Sequence, residues 1–92
     1  MKHFAVTLDF VEGAPAPEVG RAQGKWLTEL YEQNVLMLSG GFTDGAGGMA
    51  ILRADSLEAV QDLYQDSPIV RDGGATFDVR EWNVVFGLTR QS

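Results

Sequence analysis

The sequence has no cysteine and only one histidine among its 92 residues. Without thiols the chain has no disulfide, no cysteine nucleophile and no thiolate metal site. A single imidazole argues against a transition-metal site, and the scattered serines offer no Ser-His-Asp arrangement. We therefore predict no metal and no cofactor, and these residue types identify no catalytic residue.

Positive charge is also scarce, because 7 Lys and Arg residues stand against 13 Asp and Glu residues, for a net charge of −6. Nucleic acids and anionic membranes are bound by concentrated basic surfaces, and the basic residues here are scattered. No apolar run approaches the roughly 18 residues of a membrane-spanning helix, and the N-terminus lacks a signal-peptide pattern. These features predict a cytoplasmic protein with no nucleic-acid or membrane partner.

The composition is otherwise ordinary for a globular protein, with 45% hydrophobic residues. The chain is long enough for a single domain, which we predict to span residues 1–92. Residues 4–10 alternate apolar and polar side chains, which indicates a strand with an apolar even face. Apolar residues spaced three and four apart predict a helix over residues 17–34. Pro17 suits its first turn, and Asn34 suits a left-handed stop at its end.

A second set of elements follows this helix. A continuous apolar run at residues 35–39 predicts a strand buried on both faces, and a glycine-rich turn leads to a third strand at residues 49–54. The turn joins two strands and has no lysine nearby, so it does not match a phosphate-binding loop. Asp55 is the predicted N-cap of a second helix, which stops before Pro68. A connection over residues 69–74 precedes the last strand.

The last predicted strand, residues 75–87, changes its apolar face part-way along. Its apolar side chains occupy odd positions at Phe77 and Val79, and then even positions at Trp82, Val84 and Phe86. Successive side chains on a strand point to opposite faces, so the strand is either buried on both faces or re-aimed by a bulge near residues 80–81. We expect one apolar layer to lie under the helices and the other to meet a partner subunit.

The order strand, helix, strand, strand, helix, strand predicts an α+β, ferredoxin-like βαββαβ fold with a four-stranded antiparallel sheet. Right-handed crossovers place both helices on one face of it. The second strand has Leu36 and Leu38 on one side and Val35 and Met37 on the other, so the open face is apolar as well. Soluble monomers rarely leave such a patch in water, and we expect a homodimer or higher homo-oligomer with sheets packed face to face.

Several segments, in this order along the chain, resemble the YciI-like (YCII-related) proteins. They are residues 36–42, residues 48–54, and the motifs ADSLEAV, DSPIVRDG and VREWNVVFG. The resemblance covers most of the chain and implies a ferredoxin-like fold in a dimeric α/β barrel. For a few relatives it also implies dehydrochlorination or related lyase chemistry on small ring compounds. The implied working pair is a His on the first helix and an Asp just before the Pro that ends the second helix.

This sequence departs from the implied pair at both positions. Gln23 stands where the family His falls, and Ser67 directly precedes Pro68, with Asp66 one residue further back. An oriented imidazole can abstract a proton at neutral pH, whereas Gln can only donate and accept hydrogen bonds. Two hypotheses therefore stand: a small-molecule protein with lyase or isomerase chemistry on a small ring compound, and a non-catalytic dimeric binding module.

Five residues are candidates to line a small-molecule pocket between the first helix and the sheet: Gln23, Ser39, Asp66, Ser67 and Trp82. Only the resemblance points to Asp66 and Ser67, which by themselves are typical of polar residues at a helix end. Trp82 is interpreted first as a core residue and second as the wall of a pocket for a flat apolar ligand. His3 is interpreted as an ordinary strand-end histidine, with a proton carrier at the dimer face as the alternative.

Overall fold

The computed structural model describes residues 1–87. Along the chain the elements are β1 (Lys2–Phe10), α1 (Pro17–Glu32), β2 (Leu36–Gly41), β3 (Gly47–Ala54), α2 (Leu57–Gln65), α3 (Pro68–Arg71) and β4 (Ala75–Glu81). The strands form one antiparallel sheet in the order β2-β3-β1-β4. This is the predicted α+β, ferredoxin-like arrangement, with α3 as an extra helical turn. None of the helices described within residues 1–87 is long and apolar enough to span a membrane.

The core lies between the helices and one face of the sheet. Phe4 and Val6 of β1 are almost fully buried there, as predicted from the apolar even positions. Both long helices contribute to a single cluster of buried residues: Phe4, Val6, Leu30, Leu36, Ala50, Leu52, Val60, Tyr64 and Val79. The helices therefore cover one face of the sheet, and the opposite face, called the open face below, exposes Leu38, Met49 and Trp82.

Single residues mark most of the helix ends. α1 begins at Pro17, and Asn34 adopts the predicted left-handed conformation just after the helix, with φ at 63°. The N-cap of α2 is Ser56, not Asp55 as predicted, because Ser56 is extended and its Oγ accepts a 3.1 Å hydrogen bond from the Ala59 N–H. The predicted connection after Pro68 is also partly wrong, because Pro68 begins α3, where a proline fits the first turn.

β2 carries a β-bulge that was not predicted. Leu36 pairs with Leu52 of β3, but Leu38 pairs with Ile51, so the register shifts by one residue at Met37. The prediction that Leu36 and Leu38 share a face is therefore wrong. Leu36 lies in the core, and Leu38 lies on the open face.

The same bulge decides the orientation of Ser39. After the shift Ser39 pairs with Ala50 of β3, whose side chain is in the core. In an unbroken strand Ser39 and Leu36, three residues apart, would point to opposite faces. The extra residue at Met37 thus returns Ser39 to the helix side of the sheet.

β4 shows no bulge at residues 80–81, where one was predicted. Its pairing with β1 runs without a break over Ala75–Glu81. Because Val79 faces the core, ordinary alternation carries Trp82, three residues on, to the open face. The strand is also shorter than predicted, although the Trp82 N–H still donates a 2.8 Å hydrogen bond to the His3 carbonyl oxygen.

Candidate functional site

A cavity of about 260 Å³ lies between the helical layer and one end of the sheet. Its wall comes from all three helices and from β1, β2 and β3, and most of the wall is apolar. Its polar side chains are Gln23 of α1, Ser39 of β2 and Tyr64 of α2, and no Asp, Glu, His, Lys or Arg among residues 1–87 lines it. An apolar cavity with a few placed polar groups is typical of a small-molecule site.

Gln23 lies on the inner face of α1, with only 8% of its surface exposed. Its Oε1 accepts a 3.1 Å hydrogen bond from the Ile69 N–H, which belongs to the first turn of α3, where the helix itself supplies no acceptor. The Gln23 Nε2 is buried and has no hydrogen-bond partner among residues 1–87. A buried donor without a partner costs roughly 1–3 kcal/mol, so this amide is a candidate ligand contact.

Tyr64 brings a hydroxyl-bearing ring to the same cavity. The ring packs edge-on against Trp26, with centroids 5.0 Å apart, and is tilted against Phe77 at 5.8 Å. Burial raises the pKa of the Tyr64 hydroxyl to about 12, so the group stays protonated at neutral pH and can donate a hydrogen bond. Sequence reasoning did not single out Tyr64, because no local pattern marks a tyrosine that lines a cavity.

Asp66 and Ser67, predicted to lie beside Gln23, are not among the residues that line the cavity. Asp66 follows α2 and is exposed. Ser67 is fully buried as the N-cap of α3, and its Oγ has no hydrogen-bond partner in the described part of the chain. Ser67 is thus a neighbour of Gln23 through the backbone of α3, since Ile69, two residues on, donates to the Gln23 side chain.

Trp82 lies on the other side of the sheet, in a groove of about 480 Å³ on the open face. Its side chain is 47% exposed, so the interpretation of Trp82 as a core residue is wrong. The groove runs between the bulged strand β2 and residues 82–87, and exposed Leu38 and Phe86 line it. His3 lines the same groove, and its Nε2 is buried without a partner among residues 1–87.

The cavity and the groove share one edge. Ser39, Gly40, Gly41 and Met49 line both of them. The structure therefore brings Gln23 and Ser39 together in the cavity, and it places Trp82 in the groove on the opposite side of the sheet.

Comparison with known proteins decides the family. A model of the YCII-related domain matches residues 4–83. The chain belongs to the YCII-related family. This YCII-related protein is 30% identical over 60 residues to the uncharacterized protein YjpA of Bacillus subtilis (strain 168), and the alignment covers 65% of this chain and 71% of YjpA. The resemblance inferred from the sequence motifs is confirmed.

Two solved structures share the fold of this YCII-related protein at low sequence identity. The 5-chloro-2-hydroxyhydroquinone dehydrochlorinase from Burkholderia phenoliruptrix AC1100, in complex with 2,5-dihydroxybenzoquinone, is 18% identical, with a TM-score of 0.68 over 88% of this chain and 93% of that one. Muconolactone isomerase is 13% identical, with a TM-score of 0.74 over 98% of this chain and 97% of that one. At these identities the likeness establishes the fold alone.

Proposed function

We propose that this YCII-related protein binds a small one-ring compound in the cavity between α1 and the sheet. The observation that carries the proposal is Gln23, which lines a mostly apolar cavity and whose buried Nε2 is a donor with no protein partner among residues 1–87. Pockets for drug-sized ligands occupy roughly 300–1,000 Å³. The cavity, at about 260 Å³, is smaller than these, which favours a ligand of one ring.

Lyase or isomerase chemistry on a ring compound is the second candidate function. It is supported by the names of two proteins of similar fold, a dehydrochlorinase and a muconolactone isomerase. Proton transfer of this kind needs a group whose pKa lies near the operating pH. Gln23 cannot titrate, and a pKa of about 12 keeps the Tyr64 hydroxyl protonated. We therefore favour a ligand-binding protein that lacks the His–carboxylate pair over an enzyme that catalyses proton transfer.

Gly20 offers a way to fill the cavity from α1. It lines the cavity, and a Cβ added there meets no atom within 4 Å. Gly20→Leu is expected to abolish ligand binding, because the new side chain occupies the ligand volume, while the helix gains roughly 1 kcal/mol in propensity. The measurement is a thermal-shift titration with a panel of one-ring phenols, lactones, ketones and carboxylates. A compound present at about 100 times its Kd raises the wild-type Tm by roughly 10–20 °C.

Gly24→Leu is the matched control for this experiment. Gly24 lies one turn further along α1, is exposed, has open space at its Cβ and is outside the cavity wall. We expect Gly24→Leu to keep the wild-type shift and Gly20→Leu to lose it. Equal shifts in the two variants would place the ligand elsewhere, and a panel that leaves the wild-type Tm unchanged would contradict the proposal.

We propose in addition that a second copy of the chain covers the open face. Interface cores are depleted of charged residues, and no Asp, Glu, Lys or Arg among residues 1–87 lines the groove, although the chain has 13 acidic and 7 basic residues. Face-to-face packing about a two-fold axis sets groove against groove, because the same patch is used on both copies. This assembly is the dimeric α/β barrel that the family resemblance implies.

Trp82→Asp is expected to convert this dimer into a monomer, because it places a carboxylate in the apolar groove. Tyr31→Asp is the matched control, since Tyr31 is a large aromatic on α1 that is 62% exposed and lies outside the groove. Sedimentation velocity at micromolar concentration measures the outcome. The wild type and Tyr31→Asp should sediment as dimers; a monomeric wild type or a dimeric Trp82→Asp variant would contradict the assembly.

A further inference from the structure

We infer that the cavity selects uncharged ring compounds that carry a carbonyl-type oxygen, and that the Gln23 amide is the group that recognises this oxygen. The inference rests on the proposed function, because it names the ligand class of the same site. It adds a specificity: ketones, lactones and quinone-like rings bind, while carboxylates of the same size are rejected.

The orientation of the Gln23 amide leaves its nitrogen as the donor without a partner. The Ile69 backbone N–H, 3.1 Å away, can only donate, so the Gln23 oxygen has to face it. The Nε2 is then turned elsewhere, and it is buried without an acceptor among residues 1–87. A ligand oxygen that accepts from Nε2 completes the hydrogen bonding of a side chain that α3 already holds in place.

The remaining wall has no charge to balance an ionised ligand. Among residues 1–87 no Lys, Arg or His lines the cavity to pair with an anion, and no Asp or Glu lines it to pair with a cation. Burial of an unpaired charge is far less favourable than burial of a hydrogen-bonded neutral group. The Tyr64 hydroxyl, with its pKa raised to about 12, stays neutral and adds a second possible donor.

Three compounds with the same phenyl ring separate the effect of a carbonyl oxygen on binding from the effect of a negative charge. Acetophenone carries the carbonyl oxygen, ethylbenzene has the same carbon skeleton without the oxygen, and benzoate carries a charge at pH 7. The readout is NMR titration of ¹⁵N-labelled protein, with the Gln23 side-chain amide signal followed directly. We expect acetophenone to shift that signal and to bind about tenfold more tightly than either of the other two.

Two variants test the role of the amide. Gln23→Met removes both polar atoms at similar length, and Gln23→Leu removes them with a shorter side chain. Acetophenone should lose its tenfold advantage over ethylbenzene in both variants. Ethylbenzene affinity should be unchanged in Gln23→Met, which would show that the cavity is intact, and Gln23→Leu provides the same test if Gln23→Met does not fold.

The outcomes separate this inference from the proposed function. Benzoate binding as tightly as acetophenone, or wild-type acetophenone affinity in a folded Gln23 variant, overturns the ligand class but leaves a ring-binding cavity. If none of the three compounds shifts the signals of cavity residues in the wild type, the proposed function fails, and the ligand class fails with it.

Discussion

Gly47→Ala is expected to lower the free energy of unfolding by about 3 kcal/mol or more, and the Tm by at least roughly 12 °C. Gly47 begins β3 and pairs with Asp9 of β1, the other inner strand of the sheet. A Cβ at this position collides with the carbonyl oxygen of Leu8 and lies 2.9 Å from the carbonyl carbon of the same residue. Both atoms belong to the backbone, so no side-chain rotation relieves the clash, and the β1–β3 pairing has to open at this end.

Gly24→Ala is the matched control for the Gly47 prediction. Gly24 is exposed on α1, and a Cβ there meets no atom within 4 Å. The same substitution should therefore raise stability, by up to about 1 kcal/mol, because alanine is the better helix former. Urea unfolding followed by far-UV circular dichroism measures both variants. A Gly47→Ala protein within about 1 kcal/mol of the wild type would show that the strands do not approach as closely as described.

Tyr64→Ala is expected to cost about 3–5 kcal/mol of stability. Tyr64 is among the largest fully buried side chains, and it joins the core cluster to the ring contacts with Trp26 and Phe77. It also lines the cavity, so its removal enlarges a space that already exists. Tyr64→Phe keeps both ring contacts and should cost no more than about 1.5 kcal/mol. Urea unfolding at neutral pH separates the two variants, and equal losses would contradict the role given to the ring.

The Tyr64 hydroxyl also predicts a loss of stability at alkaline pH. Its folded-state pKa of about 12 lies above its ordinary value of 10.0. The contribution of the neutral hydroxyl is therefore complete below pH 10 and is lost as the pH rises through about 12, a change of roughly 2–3 kcal/mol. Tyr64→Phe lacks this titration, so its stability should fall less than that of the wild type between pH 10 and 12. Parallel pH profiles for the two proteins would contradict the prediction.

The parts of the fold that depend on local signals were predictable from the sequence. Phe4 and Val6 fall in the core because they alternate with side chains suited to the other face of β1. Pro17 and Asn34 mark the two ends of α1, because each has a backbone preference that acts at a single residue. The order of such elements was enough to predict the ferredoxin-like arrangement.

The features that depend on strand pairing were not predictable. Residues 35–38 are all apolar, so the sequence does not show which of them face the core. Only the pairing with β3 reveals the bulge at Met37. In β4 the change from odd to even apolar positions suggested a bulge, but it is ordinary alternation. Asp78, Arg80 and Trp82 all lie on the open face, and Trp82 is the first of the three that is apolar.

The candidate site was predictable to a similar extent. Gln23 was singled out because the family resemblance places a functional residue at its position on the first helix. Its partner Ile69 lies 46 residues away, and no local pattern encodes that contact. The division of the predicted site between two sides of the sheet likewise depends on which face Ser39 and Trp82 reach, which is a property of strand register.

The edge shared by the cavity and the groove has a thermodynamic consequence. A molecule seated on the open face contacts the residues that also bound the cavity, namely Ser39, Gly40, Gly41 and Met49. If ligand occupancy changes the association constant of two copies, linkage requires association to change the ligand affinity by the same factor. The apparent Kd of the ligand then varies with protein concentration. A ligand titration repeated at two protein concentrations would report association without any measurement of mass.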